Sequence, residues 1–131
     1  MRITVAIAAL ALVVVGATAG AQQPGFSRTT IQQGDLSIPG REVVQAIAQF
    51  EPGATVGWHT HPGEEAGYLL EGSFLFEVEG KPAVTLKAGQ TFLVPAGTVH
   101  NATNHGTTRT RVLATYIVEK GKPVATAVTK K

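Results

Sequence analysis

The sequence predicts an all-β fold of about eight short antiparallel strands closed into a sandwich or barrel. Three observations carry that expectation. Turn formers are abundant, with 15 glycines and 7 prolines among 131 residues. Apolar residues recur at every second position in several short runs, the period of a half-buried strand. No amphipathic helical period follows the N-terminal segment. Strands in such a series bury their apolar faces only by packing sheet on sheet or by closing on themselves.

Residues 1–21 read as an address. One basic residue, Arg2, precedes an apolar run, and Ala19 and Ala21 form an A-x-A arrangement before Gln22. This is the plan of a secretory signal peptide, so the mature chain is expected to be exported, periplasmic or secreted. An apolar core of about 13 residues falls short of the roughly 20 needed to span a bilayer, so no stable membrane anchor is expected after cleavage. Residues 22–38, rich in Gln, Pro, Gly and Ser at their start, read as a flexible lead-in. The strand-forming domain is expected over 39–120, followed by a tail at 121–131.

Within that domain each strand has its own signal. Residues 41–50 place Val44, Ala46, Ala48 and Phe50 on one face, and Pro52-Gly53 ends the run. Strands follow at 56–61 and 65–71, separated by Pro62-Gly63. In 74–79, Phe74, Phe76 and Val78 alternate with Leu75, Glu77 and Glu79. Gly80-Lys81-Pro82 turns the chain into 83–87. Further strands are expected at 91–94, 99–104 and 109–119, the last with Val112, Ala114, Tyr116 and Val118 on one face.

Composition narrows the function. Hydrophobic residues make up 44% and charged residues 15%, which excludes a solvated disordered chain. The absence of cysteine removes disulfides, thiolate metal sites and thiol nucleophiles. A net charge of +2 without an internal basic run argues against nucleic acid as a partner. A small-molecule ligand or substrate is the expected partner, and exposed strand edges make a homodimer plausible.

The chemistry concentrates on four histidines. His59 and His61 lie two apart on one strand and leave the same face, and strand parity continued through the turn favours Glu65 over Glu64. His100 follows the Pro95-Ala96-Gly97 turn and faces the first three if the sheets fold together. Three imidazoles and a carboxylate suit a divalent transition metal, whether Fe, Mn, Ni, Co, Cu or Zn. His105, at opposite parity to His100, reads as a loop residue. Trp58 projects away from His59 and reads as packing.

The spacing Gly53-x5-His59-Thr60-His61-x3-Glu65-x6-Gly72 resembles the first cupin motif, and Gly89-x5-Pro95-Ala96-Gly97-x2-His100-x3-Asn104 resembles the second. The resemblance, to small single-domain bacterial cupins, spans about half of the mature chain. It implies a double-stranded β-helix, or jelly-roll barrel, with His59, His61, Glu65 and His100 as ligands of one divalent metal inside. It also implies that Gly53, Gly72, Gly89, Pro95 and Gly97 form turns, while Asn104 is expected to bond backbone near one.

Dioxygenase-type oxidation of a small enolic or aromatic compound is the leading expectation, by analogy with cupins that are metal-dependent oxidoreductases. Two alternatives stay open. One is a Lewis-acid isomerase or lyase acting on a sugar or hydroxy acid, with Tyr116 as its acid or base. The other is a non-catalytic module that binds a small ligand or metal. Ala46, Ala48, Gly67 and Ala114 are expected to leave room beside the ion.

Overall fold

The computed structural model describes residues 23–130, so the segment read as a signal peptide, and the cleavage expected after it, lie outside the described residues. Among the described residues, ten strands form two five-stranded antiparallel sheets facing each other. They are β1 (Phe26–Asp35), β2 (Arg41–Phe50), β3 (His59–Thr60), β4 (Gly63–Glu71), β5 (Ser73–Val78), β6 (Val84–Lys87), β7 (Thr91–Val94), β8 (His100–Thr103), β9 (Thr110–Glu119) and β10 (Thr126–Ala127). One sheet runs β1-β2-β9-β4-β7 and the other β10-β3-β8-β5-β6.

Alternation places the inner faces as the sequence indicates. Val44, Ala46, Ala48 and Phe50 of β2 are buried, as are Val112, Ala114, Tyr116 and Val118 of β9. β2 and β9 pair along their whole length, from Arg41 opposite Glu119 to Phe50 opposite Thr110. Two apolar clusters result. One gathers Phe26, Phe50, Phe74, Phe76, Leu69 and Val112, and the other gathers Val44, Ala46, Ala114, Tyr116 and Val118.

Three elements depart from expectation. The segment read as lead-in carries β1, which pairs with β2 from Phe26 opposite Phe50 to Asp35 opposite Glu42, with a register shift between Thr30 and Gln32. Beyond Phe26 this edge strand is half-buried or exposed, so it lacks the apolar alternation by which strands are recognised. The expected strand over 56–61 shortens to His59–Thr60, because Gly57 adopts φ +85°, a left-handed conformation that ends regular pairing. The tail contains β10, which pairs with β3 through Thr126–Thr60 and Ala127–His59. β1 and β10 thus raise the count from about eight to ten.

Candidate metal centre

The four metal-type side chains come from both sheets. His59 on β3 stands directly opposite His100 on β8 in one sheet, while Glu65 on β4 stands opposite Tyr116 in the other. His61 sits in the link between β3 and β4. Its carbonyl accepts a hydrogen bond from the Gly97 N–H at 3.0 Å, which docks the Pro95-Ala96-Gly97 turn, where Gly97 has φ +70°, against it. That docking brings His100, three residues further on, beside His61.

All four groups are buried. One ligand nitrogen from each of His59, His61 and His100 lies within 4.8 Å of the others. Oε2 of Glu65 is 3.0 Å from Nε2 of His61 and 3.2 Å from Nε2 of His100. The ring of Tyr116 lies 4.8 Å from that of His61, tilted by 55°, and Phe76 lies 6.1 Å from His100, so the centre sits between the two apolar clusters.

The far side of each imidazole fixes its tautomer. His59 Nδ1 donates to the Gly57 carbonyl at 2.7 Å, His61 Nδ1 to the Val124 carbonyl at 2.6 Å, and His100 Nδ1 to the Thr98 carbonyl at 2.9 Å. A neutral imidazole that donates through Nδ1 presents a lone pair at Nε2. Two of those lone pairs would then face a carboxylate oxygen, acceptor against acceptor. Either extra protons or one shared cation must lie between them. Carbonyl-oriented imidazoles with an adjacent carboxylate are the arrangement by which proteins hold transition metals. The donor set therefore fits a divalent ion, and the site is a metal-binding one.

Electrostatics in the metal-free protein follow from burial. Desolvation, reinforced by the neighbouring charge of His100, depresses the His59 pKa from 6.5 to about 3, so His59 is neutral in the folded state at neutral pH. Burial pushes the Glu65 carboxyl up, but where the extra protons lie between the groups, hydrogen bonds from His100 and His61 outweigh it and hold the carboxyl well below its usual range.

Both shifts are depressions, and both therefore contribute stability that acid removes. The unfolded chain takes up a proton at His59 below pH 6.5 while the folded chain resists until about pH 3. Stability of the metal-free protein is expected to fall as pH drops through that window, with Glu65 adding loss below its ordinary value of 4.5. Urea unfolding of the chelator-treated protein between pH 7.5 and roughly 4 checks this, and a flat midpoint contradicts it. Protons also compete with metal for the same atoms, so acid should release the ion over the same range.

His59, Glu65 and His100, but not His61, line a narrow cavity of about 30 Å³, room for one or two water molecules. Its walls are largely apolar, with Phe50, Phe74, Phe76, Phe92 and Val112 among them, and Arg28 and Tyr116 supply polar atoms. Outside it lies a wider cleft of about 300 Å³ between Gln23–Arg28, Val56–His59 and the β10 segment. The two spaces share Phe26, Arg28, Val56 and His59.

Tyr116 points inward from β9. Its hydroxyl accepts a hydrogen bond from Arg28 Nε at 3.1 Å, and burial, with the nearby Glu65 charge, pushes its pKa above the ordinary tyrosine value. Glu64, Tyr68 and His105 are exposed. Trp58 is half-buried, with Lys130 Nζ 4.6 Å from its ring centroid. Asn104 donates to the Phe50 and Thr108 carbonyls and accepts from the Gly106 N–H, the backbone role expected of it.

Expected room beside the ion is only partly there. Ala48 lines the cavity, but the space at Gly67 is taken by Phe92, whose ring atoms lie 2.1 Å from where a Cβ would sit. Ala46 and Ala114 pack in the Val44–Tyr116–Val118 cluster instead. Arg28 was hidden from the sequence reading by its place in the supposed lead-in. The β-branched run Thr29-Thr30-Ile31 beside it is the signal that marks a strand there.

Comparison with known proteins agrees with this architecture. A curated relative, the oxalate-binding protein of Thermotoga maritima, is 40% identical over 74 residues, covering 56% of this chain and 60% of that protein. The chain thus spans less than two thirds of that relative's length. Among solved structures, a cupin domain from Bordetella pertussis Tohama I superposes with a TM-score of 0.58 at 27% identity, over 75% of this chain and 98% of that one. An oxalate oxidase in complex with the substrate analogue glycolate shares the fold at a TM-score of 0.64 and 24% identity, over 79% of this chain and 55% of that one. The cupin-domain family profile matches residues 46–116, more than half of the chain and all four metal-type side chains within it. By that match, this protein belongs to the cupin family.

Proposed function

We propose that His59, His61, Glu65 and His100 together hold one divalent transition metal, and that the protein uses it to oxidise a small enolic compound with dioxygen. The observation that carries this reading is the set of three Nδ1-to-carbonyl hydrogen bonds, which turn the Nε2 edges of three imidazoles toward one buried point beside the Glu65 carboxylate. When bound, such an ion supplies a Lewis-acidic centre that favours an ionised enol or hydroxyl and, if redox-active, oxygen chemistry. Four protein donors leave open positions on a six-coordinate ion.

The chain's own residues do the rest. Phe50, Phe74, Phe76 and Phe92 keep bulk water from the inner cavity, which strengthens every charge interaction inside it. The narrow volume favours a ligand of a few heavy atoms over an aromatic one. The oxalate-binding relative supports a small, oxygen-rich ligand of this kind. Elemental analysis of the isolated protein, followed by oxygen uptake with candidate enols, tests the proposal. Iron or manganese with uptake supports it, whereas bound metal with tight ligand binding and no product selects the non-catalytic alternative.

A Lewis-acid isomerase or lyase is favoured by one feature, the Tyr116 hydroxyl at the cavity wall. Arg28 donates to its oxygen, which leaves its own proton directed at Glu65 on the metal side of the cavity. Substitution Tyr116→Phe separates the two chemistries. Under the oxidase reading, ligand affinity drops through the lost Arg28 contact but saturated turnover changes little. Under the Lewis-acid reading it falls by about 10²–10⁴ while metal content stays the same.

A further inference from the structure

We infer that Arg28 is the ligand-recognising residue of this cavity, and that the ligand is a short-chain acid with an oxygen donor at one end and a free carboxylate at the other. The inference rests on the metal-binding reading above, which supplies the other end of the ligand.

Among the described residues, Arg28 is the one Lys or Arg lining both the inner cavity and the outer cleft. It is pinned there. Its Nε donates to the Tyr116 hydroxyl at 3.1 Å, and its guanidinium carbon lies 5.4 Å from the Phe26 ring centroid and 5.5 Å from that of Tyr116. These contacts occupy Nε and the guanidinium face. The terminal nitrogens have no hydrogen-bond partner among the described residues. No ion pair among the described residues includes Arg28, although Glu71, Asp35 and Glu119 all have basic partners.

A half-buried guanidinium with its fork unpaired is matched by a planar anion, which takes two parallel N–H···O bonds. Charge points the same way. A divalent ion with one carboxylate keeps a net positive charge, and Arg28 adds another, so an anion is the ligand these charges favour. The aromatic walls and the small volume select a flat carboxylate over a tetrahedral phosphate. Tyr116 links the two ends, since its ring packs at a tilt against His61 while its hydroxyl binds Arg28. A ligand lying along it would reach both.

The test uses the metal-loaded protein and calorimetric titration with oxalate, malonate and succinate, each against its monoamide, and with inorganic phosphate. Wild-type protein should bind at least one diacid about 10-fold or more tightly than the monoamide. R28Q should lose that preference at unchanged metal content, and R28K, which keeps the charge without the fork, should retain part of it. The acid-to-amide ratio is read within one protein, so a general loss of stability does not mimic the effect. An unchanged ratio in R28Q, no diacid binding to metal-replete wild type, or tighter binding of phosphate overturns the inference alone. Wild-type protein that takes up no metal overturns the underlying reading and this inference with it.

Discussion

Replacing His61 with alanine is expected to empty the centre of metal and to abolish any metal-dependent turnover. His61 is buried, it touches Glu65 at 3.0 Å, and its ring lies against Tyr116. The Val124 carbonyl, 63 residues away in sequence, orients its ring. Loss of one of four donors should weaken metal binding by more than the roughly 10–100-fold typical of losing only an outer partner. A ligand present at about 100 times its Kd stabilises the folded state by roughly 2.7 kcal/mol. Losing that linkage should lower the midpoint of thermal unfolding by roughly 10 °C in a domain of this size. Metal content by mass spectrometry and a melting curve with and without added ion read both effects. His105→Ala serves as the control, since that exposed ring should change stability by less than about 0.5 kcal/mol. Full metal occupancy in His61→Ala would falsify the four-donor centre.

Substitution Gly63→Ala should have a comparable effect by a different route. A Cβ at Gly63 would lie 1.9 Å from the Ile117 carbonyl oxygen and 2.7 Å from the Val118 Cα. Both are backbone atoms near the C-terminal end of β9, where it is still paired on its two sides by β2 and β4 and cannot readily retreat. The strand must separate locally, at a cost of about 3 kcal/mol or more. Because Gly63 lies between His61 and Glu65, the same displacement should loosen metal binding. Gly67→Ala makes a useful contrast. Its Cβ would meet only the Phe92 ring, a half-buried side chain that can rotate, so about 1 kcal/mol is expected. Urea unfolding of the three proteins ranks them, and Gly63→Ala within about 0.5 kcal/mol of wild type would contradict the steric account.

These two glycines show where reading along the chain falls short. Pro62-Gly63 looks like a turn, and Gly67 looks like room for a ligand. In the fold Gly63 opens β4 and makes way for a neighbouring strand, and Gly67 makes way for Phe92. Neither glycine needs a left-handed backbone. Their requirement is space beside a strand far away in sequence, and nothing local marks it.

What could be read directly from the residues were the faces of the strands and the kinds of donor. Alternation in β2 and β9 marks the buried side because a pleated strand sends successive side chains to opposite faces. The same parity joins His59, His61 and Glu65 on one side, and the cupin-like spacing adds His100. Which groups meet across the barrel was beyond that reading. Arg28 reaches Tyr116 over a separation of 88 residues, and Val124 orients His61 over 63. Such contacts arise from the way two sheets close on each other. A periodic pattern records which face a residue takes, whereas the partner it finds there depends on the whole chain.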